Sequence, residues 1–159
     1  MTVDPVHCED FQVGDVKTHG QFALSAELIR EYAHEWDPQP FHLDEELASN
    51  SVLGGLCASG WQVCAIMNRL MVEAYASKAA GMGSFGVQQT RWLKPVYAGD
   101  VLTLRYTVLD KRVSSSRPEM GIVTMRWEAL DQHGTLKTEM TGVNLFKVRN
   151  AAAARQVAS

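Results

Sequence analysis

The sequence lacks several features that would point to particular classes of protein. It has no apolar run of roughly eighteen residues, so we expect no membrane-spanning helix. Lysine and arginine form no long run and the formal net charge is −3, which argues against nucleic acid as the main partner. Residues 1–5 contain neither the basic nor the apolar segment of a secretory signal, so we expect a cytoplasmic protein.

Cysteine is also scarce. Cys8, Cys57 and Cys64 are odd in number and form no C-x-x-C pair, which predicts reduced thiols of the kind that persist in the cytoplasm. Four histidines stand outside the motif described below and show no zinc-ligand spacing, so we expect no metal site. They are His7, His19, His34 and His133.

What is present indicates one domain with a substantial core. Apolar residues make up 46% of the 159 positions, which is enough for a chain of this length to bury a hydrophobic interior. We predict a single domain over residues 1–150. Residues 151–159 are small and polar with no anchoring side chain, which predicts a flexible tail.

The apolar residues follow two different periods. Ser25 is the predicted N-cap of a helix over 26–34 that Pro38 ends, and the segment 61–76 is apolar on nearly every side, which predicts a long helix buried on most sides. From Gly83 onward apolar residues alternate, which predicts strands. The predicted strands cover about 16–22, 87–94, 102–108, 123–129 and 136–145, the last with a bulge at Gly142. Together they predict an α+β fold in which an antiparallel sheet wraps around a long central helix.

The segment Asp37-Pro38-Gln39-Pro40-Phe41-His42 carries the chemistry. Its prolines fix φ near −65° and bias the residues before them toward extended geometry, so the carboxylate and the imidazole are held on a rigid connector. Such a pair can hold and split one water molecule. Gly60 opens the long helix, and its backbone N–H there could meet a developing oxyanion. Base, acid and oxyanion donor suffice to add water to an activated carbonyl compound or to remove it.

The chain resembles the MaoC-like dehydratase and (R)-specific enoyl-CoA hydratase family over roughly residues 10–148. The matching pieces are Tyr32-Ala33, the Asp37 to His42 segment, Gly60, and Lys94-Pro95-Val96 followed by Gly99-Asp100. The resemblance implies the hot-dog fold, a catalytic pair of Asp37 and His42, and a Gly60 N–H that binds the thioester oxygen. It also implies an acyl-CoA or acyl-carrier thioester as substrate, no cofactor beyond that carrier, and a homodimer that joins two sheets edge to edge.

The chain departs from the family pattern around the motif. Trp36 stands where glycine is common and could narrow the pocket, and Ser59 stands where histidine is frequent. Asn68 falls where the family has a serine that supports the aspartate, so we expect a buried Asn68 amide with a partner, and Ser59 as a second supporting residue. We expect the substrate pocket to include Trp36, Phe41 and Trp61.

Other interpretations of the same residues stay open at this point. His42 alone would be a loop histidine packed on a helix end, Gly60 would allow close packing, and Asn68 would make a plain structural hydrogen bond. At the level of function, the first alternative is a hot-dog thioesterase, in which a carboxylate activates water against the thioester carbonyl. The second is a non-catalytic acyl-binding protein or partner subunit. Fold alone does not separate these alternatives, because function resides in the site.

Overall fold

The computed structural model describes residues 4–150, so the predicted tail at 151–159 lies outside the described residues. Five antiparallel strands form one sheet in the order β1-β3-β4-β5-β2. The strands are β1 Val16–Ala23, β2 Gly81–Trp92, β3 Val101–Val113, β4 Met120–Leu130 and β5 Leu136–Lys147. The helices are α1 Ala26–Trp36, α2 Pro40–Leu43, α3 Glu45–Ser49 and α4 Gly60–Ala74. The sheet curls around α4, which confirms the α+β prediction and the hot-dog architecture.

The first helix begins and ends for local reasons. The Ser25 Oγ accepts a hydrogen bond from the backbone N–H of Leu28 at 3.2 Å, as an N-cap side chain should. The helix runs two residues beyond the predicted end, to Trp36, and the Asp37 N–H still donates to Ala33 O. Pro38 has no N–H to continue the ladder, so the chain leaves the helix there.

The central helix α4 starts one residue before the predicted segment and ends two residues before its end. Val63, Ile66, Met67 and Leu70 form its buried face at helical spacing. The prediction of burial on most sides is wrong, because only one face meets the sheet and Trp61 is 62% exposed on the other. Within residues 4–150, no helix is both long and apolar enough to cross a membrane.

The predicted strands are present, and most extend further than the alternating pattern indicated. The bulge predicted at Gly142 lies instead on the neighbouring strand, where the register of β2 against β5 shifts at Ser84–Gly86 and at Val87–Gln89. Gly142 keeps its regular pairing with Met125 of β4. A side chain at position 142 would meet the Trp127 ring at 3.0 Å and the backbone of the bulged strand at 2.8 Å, so close approach is what requires glycine there.

Candidate active site

Asp37 and His42 converge as the motif predicts. Asp37 is the C-cap of α1, and after Pro38 the chain makes one helical turn, α2, in which His42 is the third residue. The connector is therefore partly helical, with Pro40 at the first helical position, where a missing N–H has no cost. Asp37 Oδ2 and His42 Nε2 lie 3.6 Å apart. A water molecule about 2.8 Å from both atoms could donate one hydrogen bond to each.

The partner of His42 determines which ring nitrogen carries the proton. The ring is buried, and its Nδ1 lies 2.7 Å from the carbonyl oxygen of Cys57. A carbonyl oxygen can only accept, so Nδ1 must be the protonated nitrogen. In the neutral ring, Nε2 then presents a lone pair toward Asp37. No sequence feature marks this contact, because any residue at position 57 offers the same backbone carbonyl.

The carboxyl group of Asp37 is stabilised in its ionised form. Burial raises the pKa of Asp37, but hydrogen bonds from Ser59 and Gln39, and the charge that His42 carries when its ring is protonated, outweigh burial and bring the pKa below its ordinary value. The Gln39 Nε2 donates to Asp37 Oδ1 at 2.7 Å. No role was predicted for Gln39 from the sequence. Its position two residues after Asp37 on an extended connector was the available signal, since such side chains face the same side.

Gly60 is the first residue of α4, at the end where backbone N–H groups lack helical partners. Ser59 caps the helix by accepting from the Trp61 N–H at 3.2 Å. In the described part of the chain, no group accepts from the Gly60 N–H itself. The Trp92 indole packs on this glycine so closely that a Cβ would lie 2.5 Å from two ring atoms. Close packing against Trp92 therefore explains why position 60 is a glycine, and this packing is compatible with a free N–H.

These groups line one cleft of about 650 Å³. Asp37, His42, Ser59 and Gly60 lie along it, together with the predicted pocket residues Phe41 and Trp61. The remaining wall is mainly apolar and includes Val52, Leu53, Cys57, Ala58, Val63, Trp92, Leu93, Pro95 and Val96. The lining also contains Gln39, Ser51, Lys94 and Thr138, so the cleft combines a mainly apolar wall with a few polar groups, as is usual for a site that binds a small organic molecule.

Two predicted site residues lie elsewhere. Trp36 is not part of the cleft lining and is 68% exposed, because the last turn of α1 directs it to the surface. The expectation that Trp36 narrows the pocket is wrong. Asn68 is exposed on α4, so the prediction of a buried amide is wrong as well. Ser59 and Gln39 supply the support for Asp37 that was expected of Asn68.

Within residues 4–150, no group of three or more His, Cys, Asp and Glu side chains is arranged to hold a metal ion. The three cysteines are free thiols. Burial raises the pKa of the Cys57 thiol, which disfavours the reactive thiolate although the residue lines the cleft.

Known proteins resemble this chain over most of its length. A family model described as MaoC like domain matches residues 11–128. The structure of the MaoC-like dehydratase from Rhodospirillum rubrum is similar with a TM-score of 0.82 and 38% identity, covering 91% of this chain and 98% of that one. The uncharacterized protein YdeM of Bacillus subtilis is 33% identical over 124 residues, which are 78% of this chain and 86% of YdeM. Mesaconyl-CoA hydratase of Haloarcula marismortui is 28% identical over 148 residues, which are 92% of this chain but 36% of that protein.

Proposed function

The chain belongs to the family of MaoC-like domains, and on that premise we propose that it adds water to trans-2-enoyl thioesters and, in reverse, dehydrates (R)-3-hydroxyacyl thioesters. One observation carries the proposal. Asp37 Oδ2 and His42 Nε2 face each other 3.6 Å apart in the lining of an apolar cleft, beside the free N–H of Gly60. The pair can hold a water molecule on one side of a bound substrate, and the N–H can meet the charge that develops on the other.

The hydration step follows from the protonation states. The water oxygen attacks Cβ of the enoyl group while one water proton passes to His42 Nε2, which holds a lone pair because Nδ1 donates to Cys57 O. Asp37 stays ionised because its pKa is lowered, and it accepts the second O–H of the water. The imidazolium then returns its proton to Cα, so the elements of water are added across the double bond and both side chains are regenerated. General acid–base help of this kind contributes about 10²–10⁴-fold.

Negative charge moves to the thioester oxygen between these two proton transfers. The Gly60 N–H at the start of α4 is suited to stabilise it, since the helix dipole favours negative charge at this end. A donor of this kind contributes about 10²–10³-fold to turnover. The thioester carbonyl itself polarises the double bond, so the proposed step needs no cofactor beyond the coenzyme A or acyl carrier that belongs to the substrate.

The cleft supports an acyl thioester as the substrate. Its apolar wall suits a hydrocarbon chain, and its volume of about 650 Å³ lies within the range of small-molecule sites. The name of the Haloarcula relative, mesaconyl-CoA hydratase, supports hydration of a CoA thioester, although this chain spans only 36% of that protein's length. Hydration assays with short, medium, branched and aromatic enoyl-CoA compounds would identify the acyl chain of the substrate.

The test follows enoyl absorbance and free thiol in the same reaction. Hydration removes the enoyl chromophore without releasing thiol and yields the (R)-alcohol by chiral analysis. The Asp37→Asn variant should lose most of this turnover, whereas Asn68→Ala, an exposed position on α4, should keep it. Thiol release at the rate of absorbance loss would make the protein a thioesterase. Binding of acyl-CoA without turnover, or turnover only with a second protein, would make it a binding protein or partner subunit.

We further propose a homodimer that pairs the β2 strands of two copies. β2 is an edge strand with β5 as its one neighbour in the sheet, and it exposes Phe85, Val87 and Trp92. Long edge strands with exposed apolar side chains are templates for pairing with another chain. Because Trp92 also lines the cleft, this dimer would place the two clefts beside the seam.

Sedimentation of matched edge variants tests the dimer. Val87→Lys places a charge on β2 and should shift the protein toward monomer. Val16→Lys is the control, because Val16 is similarly exposed but lies on β1 at the opposite edge. A monomeric wild-type protein, or dissociation by the Val16 variant rather than the Val87 variant, would contradict the proposed seam.

A further inference from the structure

A buried lysine lies behind the cleft and takes no part in the proposed chemistry. Lys137 of β5 is 6% exposed, and its Nζ lies 3.1 Å from Asp100 Oδ2 and 3.4 Å from Asp131 Oδ2. It also donates to the Pro95 carbonyl at 3.1 Å. The three N–H groups of an ammonium thus have three acceptors. A buried charge is costly even when paired, so its presence calls for an explanation beyond stability.

Lys137 holds one wall of the cleft by two routes. We call residues 93–97 the cleft wall, since Leu93 to Val96 line the cleft and Tyr97 continues the segment. The Lys137 backbone carbonyl accepts from the N–H groups of Leu93 at 2.8 Å and Lys94 at 3.1 Å. The side-chain ammonium contacts the same segment twice. It donates a hydrogen bond to the Pro95 carbonyl, and it lies 5.6 Å from the centre of the Tyr97 ring.

The carboxylate of Asp100 also binds the cleft wall. Its Oδ2 accepts from the Tyr97 N–H at 2.9 Å as well as from the ammonium. Asp131 in turn fixes the β4–β5 turn, accepting from the backbone N–H groups of His133 and Thr135. The ammonium therefore ties the cleft wall to the turn that carries β5 back into the sheet.

The cleft wall is joined directly to the catalytic residues. The Val96 carbonyl accepts from the Ala58 N–H at 2.8 Å, and Cys57 forms a bridge with Tyr97. The Tyr97 hydroxyl donates to Leu53 O at 2.5 Å. Between these contacts lies the Cys57 carbonyl, the acceptor for His42 Nδ1. Ser59 and Gly60 follow immediately, so a shift of the cleft wall would move the partners of both catalytic side chains.

We infer that Lys137 is a positioning residue for the site, one that acts through the cleft wall on the Cys57 carbonyl and on the start of α4. The inference rests on the proposed function for its kinetic consequence. Its structural consequence, the alignment of the His42 Nδ1–H with Cys57 O, is independent of any activity. Removing the ammonium releases Pro95 and leaves two buried carboxylates facing each other, so the cleft wall should move.

An ion pair away from the cleft, between half-buried Arg105 and buried Glu128, provides the control. Arg105 on β3 donates to both carboxylate oxygens of Glu128 on β4 at 2.8 Å and 2.7 Å, and neither residue lines the cleft. Replacing either cation by methionine removes its charge and leaves a buried carboxylate behind, although Glu128 keeps Arg126 at 3.8 Å. The variants Lys137→Met and Arg105→Met thus each remove a cation from a buried carboxylate, at different distances from the site.

Two measurements test the inference on the full-length protein. The first is the NMR resonance of the His42 Nδ1 proton, which reports its hydrogen bond to Cys57 O. We expect Lys137→Met to shift or broaden this resonance and Arg105→Met to leave it in place. The second is turnover of the enoyl-CoA that wild type hydrates best, where we expect Lys137→Met to lower kcat/KM at least tenfold with both kcat and KM affected, and Arg105→Met to leave both unchanged.

The outcomes distinguish the positioning role of Lys137 from the proposed hydratase function. If Lys137→Met does not fold, the variant that also carries Asp131→Asn removes one uncompensated carboxylate and takes its place in both measurements. An unchanged Nδ1 proton and unchanged kinetics in the folded variant would overturn the positioning role. Equal effects of the Lys137 and Arg105 variants would reduce it to a general loss of stability. Failure of wild type to hydrate any enoyl-CoA would refute the proposed function, and the NMR comparison would still decide the role of Lys137.

Discussion

Gly60→Ala is the substitution whose consequence the structure defines most narrowly. The added Cβ would lie 2.5 Å from Trp92 Cε2 and Nε1 and 2.9 Å from Cδ1. Carbon atoms in contact sit about 3.5–4.0 Å apart, so the indole or the start of α4 must move by roughly 1 Å or more. Overpacking of this size costs about 1–3 kcal/mol, and the loss of glycine flexibility in the unfolded chain returns about 0.4–1 kcal/mol. The difference between the midpoints of these ranges, about 2 and about 0.7 kcal/mol, gives an expected net loss in unfolding free energy of about 1.3 kcal/mol.

The effect on turnover should be larger than the effect on stability. A displacement of about 1 Å in a catalytic group can cost on the order of 10²-fold in rate, and loss of one oxyanion donor costs about 10²–10³-fold. Denaturant unfolding and steady-state hydration would measure the two effects on Gly60→Ala. Pairing it with Trp92→Val gives the added methyl group space while keeping the N–H. The double variant should therefore recover most of the rate lost by Gly60→Ala, so that its turnover approaches that of Trp92→Val alone. Because alanine keeps the N–H and can only displace it, wild-type turnover in Gly60→Ala would refute the expected displacement of the N–H at the start of α4.

Two further predictions concern groups with shifted pKa values. Ser59→Ala removes a hydrogen bond that lowers the pKa of Asp37, so the NMR titration profile of the Asp37 carboxyl group should move to higher pH. The lost N-cap should also cost about 0.5–2 kcal/mol in a melting experiment. An unmoved profile would show that Ser59 does not act on Asp37. The second concerns Tyr75, where burial raises the pKa to about 12 against the lowering effect of hydrogen bonds from Trp127 and Asn144. The contribution of the protonated Tyr75 hydroxyl to the free energy of unfolding is complete below the unfolded pKa of about 10. This contribution falls by about 2–3 kcal/mol as the pH rises toward 12. The stability difference between wild type and Tyr75→Phe, followed in urea from pH 8 to pH 12, should shrink by that amount, and a constant difference would contradict it.

The parts of the site that are local in sequence could be predicted from it. Asp37 and His42 are joined by a short connector whose geometry the prolines restrict, so their convergence follows from the residues between them. The N-terminal position of Gly60 on α4 likewise follows from the apolar segment that begins there. The role of each group in turnover remains a prediction.

The parts that depend on how elements pack could not be predicted. Asn68 and Trp36 were expected in the site because of their positions in the family pattern, but the face that each helix turns to the cleft is set by contacts with the sheet and with neighbouring segments. The carbonyl that orients His42 and the ammonium that holds the cleft wall come from positions 57 and 137, far along the chain from the motif. No periodicity or motif marks such long-range contacts.

The most direct test of the account is a double-mutant cycle on kcat for enoyl-CoA hydration with Asp37→Asn and His42→Asn. Asparagine at position 42 keeps an N–H in reach of the Cys57 carbonyl while it removes the Nε2 base, so the local fold is retained. Residues that act on one water as a unit have strongly non-additive effects. The account predicts that the double variant is no slower than the slower single variant. Losses that multiply, or a single variant that retains wild-type kcat, would contradict it.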